Sequence, residues 1–146
     1  EVKKDLSEII TEKNATIITE NLHVLKVMHF QFHQLFFNVI GNAIKYQRKD
    51  VPPVINIKGV PVTHADEFGK KIYYKIIISD NGIGFEQEYA DNIFKLFQRL
   101  HGRNEYSGTG IGLAICKKIV ENHGGTITAT SEPGKGAVFT ILMPAD

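Results

Sequence analysis

Two glycine clusters constrain this chain more than any other feature: Asp80-Asn81-Gly82-Ile83-Gly84 and Gly108-Thr109-Gly110-Ile111-Gly112. Glycine lets backbone N–H groups approach a ligand closely and adopts φ > 0 at little cost. The second cluster stands directly before a segment with Ile111, Ala114, Ile115, Ile119 and Val120 at helical spacing. Its N–H groups therefore open a helix, where unpaired donors and the positive end of the helix dipole favour an anion. A phosphate site is one reading, and a tight helix-entry turn is an equal one. Two common nucleotide patterns are excluded. GxGxxG read from Gly108 requires glycine where Leu113 stands, and the Walker pattern fails because His64 and Ala129 occupy the earlier glycine position ahead of Gly69-Lys70 and Gly134-Lys135.

The first cluster adds a carboxylate. Asp80 ends the apolar stretch Ile72 to Ser79, and a carboxylate beside a glycine turn can accept a hydrogen bond from an exocyclic amine such as adenine N6. Guanine presents a carbonyl oxygen at that place and would be repelled. A plain Asp-Asn-Gly turn is the competing reading. A third element is the longest helical candidate, residues 29–48, with Phe32, Leu35, Phe36, Val39, Ile40 and Ala43 at spacings of three and four. Asn38 and Asn42 are four apart and so share one face of it, followed by Lys45 and Tyr46. An amide oxygen is a hard ligand suited to Mg²⁺, and a lysine meets phosphate as a point charge. A solvated polar helix face would produce the same pattern.

The remaining elements are ordinary. Asp5 to Lys13 reads as an amphipathic helix stopped by Asn14, and Ala15 to Thr19 as a short strand. Pro52-Pro53 forces an extended chain into the strand Val54 to Val60, which a polar loop over Thr63 to Lys70 joins to the antiparallel strand Ile72 to Ser79. Tyr89 to Phe97 reads as a short helix, and residues 99–107 as a polar loop without period. His123-Gly124-Gly125 ends the glycine-led helix, and Thr126 to Ser131 pairs with Ala137 to Met143 through Pro133-Gly134-Lys135-Gly136. The helix at residue 29 begins on His29 and Phe30, both weak caps. Strands and helices without strict βαβ alternation predict an α/β (α+β) two-layer sandwich, a mixed, mostly antiparallel sheet with helices on one face. With 146 residues the chain is expected to be a single domain, 1–146. Its net charge of +1 gives no basic surface for nucleic acid. One cysteine, Cys116, excludes an internal disulfide and a cysteine-based zinc site. Apolar runs are far shorter than the roughly 20 residues of a membrane span. The chain lacks a signal-peptide opening and an initiator Met, so a fragment of something longer is expected, with this domain itself cytoplasmic.

Taken in order, four segments resemble the motifs of the catalytic, ATP-binding domain of sensor histidine kinases. That family sits in the superfamily that also holds the Hsp90, gyrase B and MutL ATPases, with the Bergerat ATP-binding fold. Asn38 to Tyr46 (NVIGNAIKY) resembles the N box, Asp80 to Phe85 (DNGIGF) the G1 box, Ile93 to Arg99 (IFKLFQR) the F box and Gly108 to Ile115 (GTGIGLAI) the G2 box. The resemblance runs from about Asn14 to Pro144, and Gln98 to Gly125 is similar above all to phytochrome-like kinases.

The resemblance implies specific roles. Asp80 would bind adenine N6, with Gly82 and Gly84 shaping that end of the pocket. Asn42 would give an oxygen to Mg²⁺, with Asn38 one turn back near the phosphates. Lys45 and Tyr46 would meet phosphates or ribose. Phe94 and Phe97 would anchor the base of an ATP lid, and Arg99, with Arg103, would reach the γ-phosphate. Gly108, Thr109, Gly110, Gly112 and Leu113 would line the phosphate chain. The implied activity is transfer of the ATP γ-phosphate to a histidine. None of His23, His29, His33, His64, His101 and His123 is followed by Glu or Asp, as a phosphoacceptor normally is. The acceptor is therefore expected on a separate dimerisation domain, with a response regulator downstream and neither nucleic acid nor membrane contacted by this domain.

Asn38 separates this reading from its neighbours. Hydrolysis needs a general base to activate water, and the Hsp90- and gyrase-type ATPases place a Glu four residues before the Mg²⁺-binding Asn. Asn38 stands there instead, which ranks an Hsp90- or MutL-like ATPase last. A degenerate nucleotide-binding or docking module is the other alternative, and Ala137 points to it, since family members often carry Thr at that place.

Overall fold

The computed structural model of the chain describes residues 1–95 and 112–145. Five strands form one sheet in the order β1-β2-β3-β5-β4, with β1 at Thr16–Glu20, β2 at Val54–Asp66, β3 at Gly69–Asp80, β4 at Thr126–Ser131 and β5 at Ala137–Pro144. β1 pairs with β2 in parallel, and every other neighbouring pair is antiparallel. The mixed sheet expected from the sequence is therefore present. Side chains alternate across a strand, so Ile55 and Ile57, then Tyr74, Ile76 and Ile78, then Phe139, Ile141 and Met143, all fall on one buried face with Ile127 and Ala129.

The helices cover that face. Helix α3 (His29–Lys45) lays Phe32, Leu35, Val39, Ile40, Ala43 and Ile44 onto it. Helix α4 (Gly112–Asn122) adds Cys116, Ile119 and Val120. Two short helices, α1 (Val2–Asp5) and α2 (Ser7–Lys13), stand where one was expected, divided at Leu6, where the backbone leaves helical geometry at φ −97°, ψ 7°. Leu6 is buried, and Asn14 stops α2 in the left-handed conformation at φ 54°.

Three boundaries differ from the sequence expectation. The β2–β3 pair continues through the polar stretch to Asp66 opposite Gly69, because ladder hydrogen bonds ask nothing of side chains that face solvent on both sides. The carboxylate of Asp66 closes the turn by accepting the Phe68 N–H at 2.8 Å. Helix α3 ends at Lys45 rather than residue 48, because the Tyr46 carbonyl turns away to accept the Ile83 N–H at 2.9 Å. The short helix expected from Tyr89 is two 3₁₀ turns over the described residues, Gln87–Tyr89 and Asn92–Phe94. The Asp91-Asn92 pair between them favours turns over helix interior.

The weakly marked start of α3 has a tertiary solution. Its N-cap, Met28, has no side-chain cap of its own, and its N–H donates to Nε2 of His123 at 3.0 Å. A backbone N–H only donates, so Nε2 accepts. Nδ1 then carries the proton and donates to the Ile119 carbonyl at 2.8 Å. The same ring stands edge-on to Phe32, with centroids 4.9 Å apart. A residue at the end of α4 thus caps the beginning of α3.

Candidate functional site

Asp80 is the centre of the site, at the last position of β3. Its Oδ1 accepts the Gly82 N–H at 2.8 Å and the Ala137 N–H at 3.3 Å. Among the described residues Oδ1 is held by two backbone N–H groups and Oδ2 receives no hydrogen bond. Burial pushes the carboxyl above its ordinary pKa, and the two N–H donors act against that shift.

The turn after Asp80 is built for close approach. Gly84 lies at φ +66°, and a Cβ there would run into the Glu132 and Gly136 carbonyls and Oγ of Ser131. Gly82 has no room for a side chain either, because the Tyr46 carbonyl and Asp80 Oδ1 face it. Asn81, between Asp80 and Gly82, serves as a strut. Its Oδ1 accepts the Val54 N–H at 2.8 Å, its Nδ2 donates to the Pro52 carbonyl at 3.1 Å, and its own carbonyl accepts Nε of Arg48 at 2.8 Å. The segment leaving α3 and the entry to β2 are thus tied to the turn that carries Asp80.

Helix α3 reaches this turn at its C-terminal end, where the Tyr46 carbonyl accepts the Ile83 N–H. Asn38 and Asn42 lie one turn apart and half-buried. The Asn38 amide donates to the carbonyl of Gly112, the first residue of α4, at 3.3 Å. Lys45 Nζ lies 5.1 Å from the centroid of the Tyr46 ring. Among the described residues no three His, Cys, Asp or Glu side chains come together as a metal cage. A hard cation that keeps waters and takes phosphate oxygens with one protein oxygen fits such a donor set, and the amide oxygen of Asn42 is suited to it.

Of the other residues singled out in the sequence, Gly112 and Leu113 begin α4 beside Asn38. Phe94 is buried and stands edge-on to Phe139 at 6.1 Å. That contact makes it part of the core, and the lid it was expected to anchor lies outside the described residues. Phe97, Arg99, Arg103, Gly108, Thr109 and Gly110 lie outside the described residues. The structure adds four residues that the sequence did not single out for the site: Arg48, Asn81, Gln87 and Ser131. Asn81 sits inside a motif already noted, and its amide was the available signal. Ser131 and Gln87 carry no local signal, since the bonds that tie Ser131 to Phe85 and Gln87 to Ala129 and Ser131 span more than 40 residues. Ala137, which offers no hydroxyl, still contributes its backbone N–H to Asp80.

Residues 29–146 match the family model described as histidine kinase-, DNA gyrase B- and HSP90-like ATPase. Among curated proteins, cyanobacterial phytochrome A of Nostoc sp. is 39% identical over 140 residues, covering 96% of this chain and 17% of that protein. The phytochrome-like protein Cph1 of Synechocystis sp. is 40% identical over 140 residues, covering 96% of this chain and 18% of its own length. The chain thus spans less than a fifth of these relatives. Among solved structures, a mycobacterial sensor histidine kinase, MprB, superposes with a TM-score of 0.77 at 18% identity, covering 98% of this chain and 91% of that one. At that identity the likeness speaks for the fold alone.

Proposed function

The chain belongs to the histidine kinase-, DNA gyrase B- and HSP90-like ATPase family, and from that premise we propose that it is the ATP-binding catalytic domain of a sensor histidine kinase. It passes the γ-phosphate to a histidine on a separate dimerisation domain, and a response regulator takes the phosphate onward. The observation that carries this reading is Asp80. One of its oxygens is fastened by two backbone N–H groups, and the other is left for the exocyclic amine of adenine.

The chain's own groups then divide the work. Gly82 and Gly84 let the turn after Asp80 pack closely and so shape that end of the base pocket. Asn42 offers its amide oxygen to Mg²⁺, which when bound neutralises phosphate charge. Lys45 and Tyr46 meet phosphates or ribose, and Gly112 and Leu113 carry the phosphate chain onto the start of α4 together with Gly108, Thr109 and Gly110. Phe94 and Phe97 support the lid, and Arg99 and Arg103 reach the γ-phosphate. Phosphoryl transfer depends mainly on positioning and charge neutralisation, so little covalent chemistry is asked of the protein. At the position where a hydrolase holds its general base, the Asn38 amide instead bonds the Gly112 carbonyl. An amide does not deprotonate water, so the γ-phosphate is kept for an imidazole nucleophile and net hydrolysis is slow.

No helix of the described residues is long and apolar enough to cross a membrane. The test mixes the chain with the histidine-bearing domain of its parent protein and labelled ATP. Label on that histidine is expected. Transfer in neither this mixture nor the full-length parent would refute the kinase reading, and brisk steady-state ATP turnover by the chain alone would favour the ATPase reading instead.

A further inference from the structure

Asp80 receives its Ala137 hydrogen bond from the first residue of the neighbouring strand β5, and something must hold that strand entrance in register with the turn after Asp80. The Ser131 hydroxyl stands between the two. Its Oγ accepts the Phe85 N–H at 2.8 Å and donates to the Gly136 carbonyl at 2.7 Å. Phe85 closes the glycine turn that begins at Asp80, and Gly136 directly precedes Ala137. One hydroxyl thus joins the backbone after Asp80 to the backbone that feeds Asp80 Oδ1.

The surroundings leave this bridge little freedom. Gly136 lies at φ +90°, and a Cβ there would run into the Asp80 carbonyl. A Cβ on Gly84 would lie 2.9 Å from both Ser131 Oγ and the Gly136 carbonyl. Ser131 is itself held from the other side. Its N–H donates to Oε1 of Gln87 at 2.9 Å, while Nε2 of Gln87 donates to the Ala129 carbonyl at 3.3 Å. The Gln87 amide thus pairs with the outer edge of β4 as a strand would. The hydroxyl both donates and accepts, a combination that alanine cannot supply.

We propose that Ser131 is a positioning residue for base recognition. By locking the Gly136–Ala137 backbone to the Asp80 turn, it fixes Asp80 Oδ1 and so sets the direction in which Oδ2 meets the base. The specificity at stake is an exocyclic amine against a carbonyl oxygen at the same ring position. This inference rests on the nucleotide-binding reading above, and its test keeps the two separable.

ADP and inosine diphosphate, which carries a carbonyl where adenine carries its amine, are titrated with Mg²⁺ into the wild-type chain, Ser131→Ala and Ser131→Thr. The wild type is expected to prefer ADP. In Ser131→Ala the ADP-to-IDP affinity ratio is expected to fall about tenfold, as a misdirected hydrogen bond to a charged group would cost, with IDP affinity changed less than about twofold. Ser131→Thr, which keeps the hydroxyl, is expected to restore the ratio. A merely structural serine would lower both affinities together and leave the ratio intact, which would overturn the proposal, as would failure of threonine to rescue. If Ser131→Ala does not fold, Ser131→Cys carries the same test, because its longer and weaker hydrogen bonds are expected to lower the ratio without abolishing the bridge. Wild-type protein that binds neither nucleotide, or both equally, refutes the adenine reading itself and this inference with it.

Discussion

Replacing Asp80 with asparagine tests the site at one atom. Oδ1 of Asp80 accepts from Gly82 and Ala137 at 2.8 and 3.3 Å. Only the oxygen of an asparagine can take over those two bonds, so its NH₂ must point where Oδ2 pointed. An adenine amine would then face an amine, donor against donor. The loss is at least that of one hydrogen bond to a charged group, about 1.5–3 kcal/mol, or roughly 10- to 150-fold in Kd. IDP presents an acceptor at the same place, so its binding is expected to hold or improve and the base preference to invert. Isothermal titration of ADP and IDP with Mg²⁺ reads both effects. An unchanged Kd for ADP would refute the assignment of Asp80 to the base. The fold responds in the opposite sense. Burial raises the Asp80 pKa in the folded chain, so its stabilising contribution is complete below the ordinary aspartate value of about 4 and is lost as pH rises through the raised one. Above that titration the ionised carboxylate opposes folding, and Asp80→Asn is expected to raise the Tm there. That gain should shrink as the pH is lowered towards about 4. Weaker ADP binding together with a higher Tm identifies a group kept for function at a cost in stability.

Leu35 is fully buried in the middle of α3, and Leu35→Ala is expected to cost about 2–5 kcal/mol in urea unfolding; a change below about 1 kcal/mol would mean that the helix does not seal the core as described. Cys116 is fully buried and its thiol is pushed up to about 12, chiefly by burial. Iodoacetamide at about pH 8 should therefore leave the native protein unlabelled and modify it only after unfolding, and rapid native labelling would contradict the packing of α4. His123→Phe keeps a ring against Phe32 but removes the acceptor for the Met28 N–H, so a loss of about 0.5–1.5 kcal/mol is expected. Amide exchange over residues 28–32 should accelerate, and unchanged exchange there would show that the cap is not what starts α3.

Much of this was legible in the sequence because the relevant signals are local. The period of Phe32, Leu35, Val39 and Ile40 foretold which face of α3 is buried. The mixture of strands and helices without strict βαβ alternation foretold a mixed sheet with helices on one face. The same locality explains the errors. Polar residues 63–70 read as a loop because hydropathy does not register a ladder made by backbone groups alone. The single helix expected from residue 5 is divided at Leu6, a break that no glycine or proline announces.

What the sequence determined by itself was the inventory of the site: a carboxylate at a strand end, glycines after it, and two amides one turn apart on a helix. Each is set by chain spacing within a few residues, where helix and strand periods leave little choice. Tertiary structure alone decided how those groups are aimed. Asp80 is oriented by Ala137, 57 residues away, and its turn is bolted by Ser131, 46 residues from Phe85. The start of α3 is capped by His123, 95 residues from Met28. A hydrogen bond depends on direction as well as on residue type, and direction across such separations exists only once the sheet has brought the strands together.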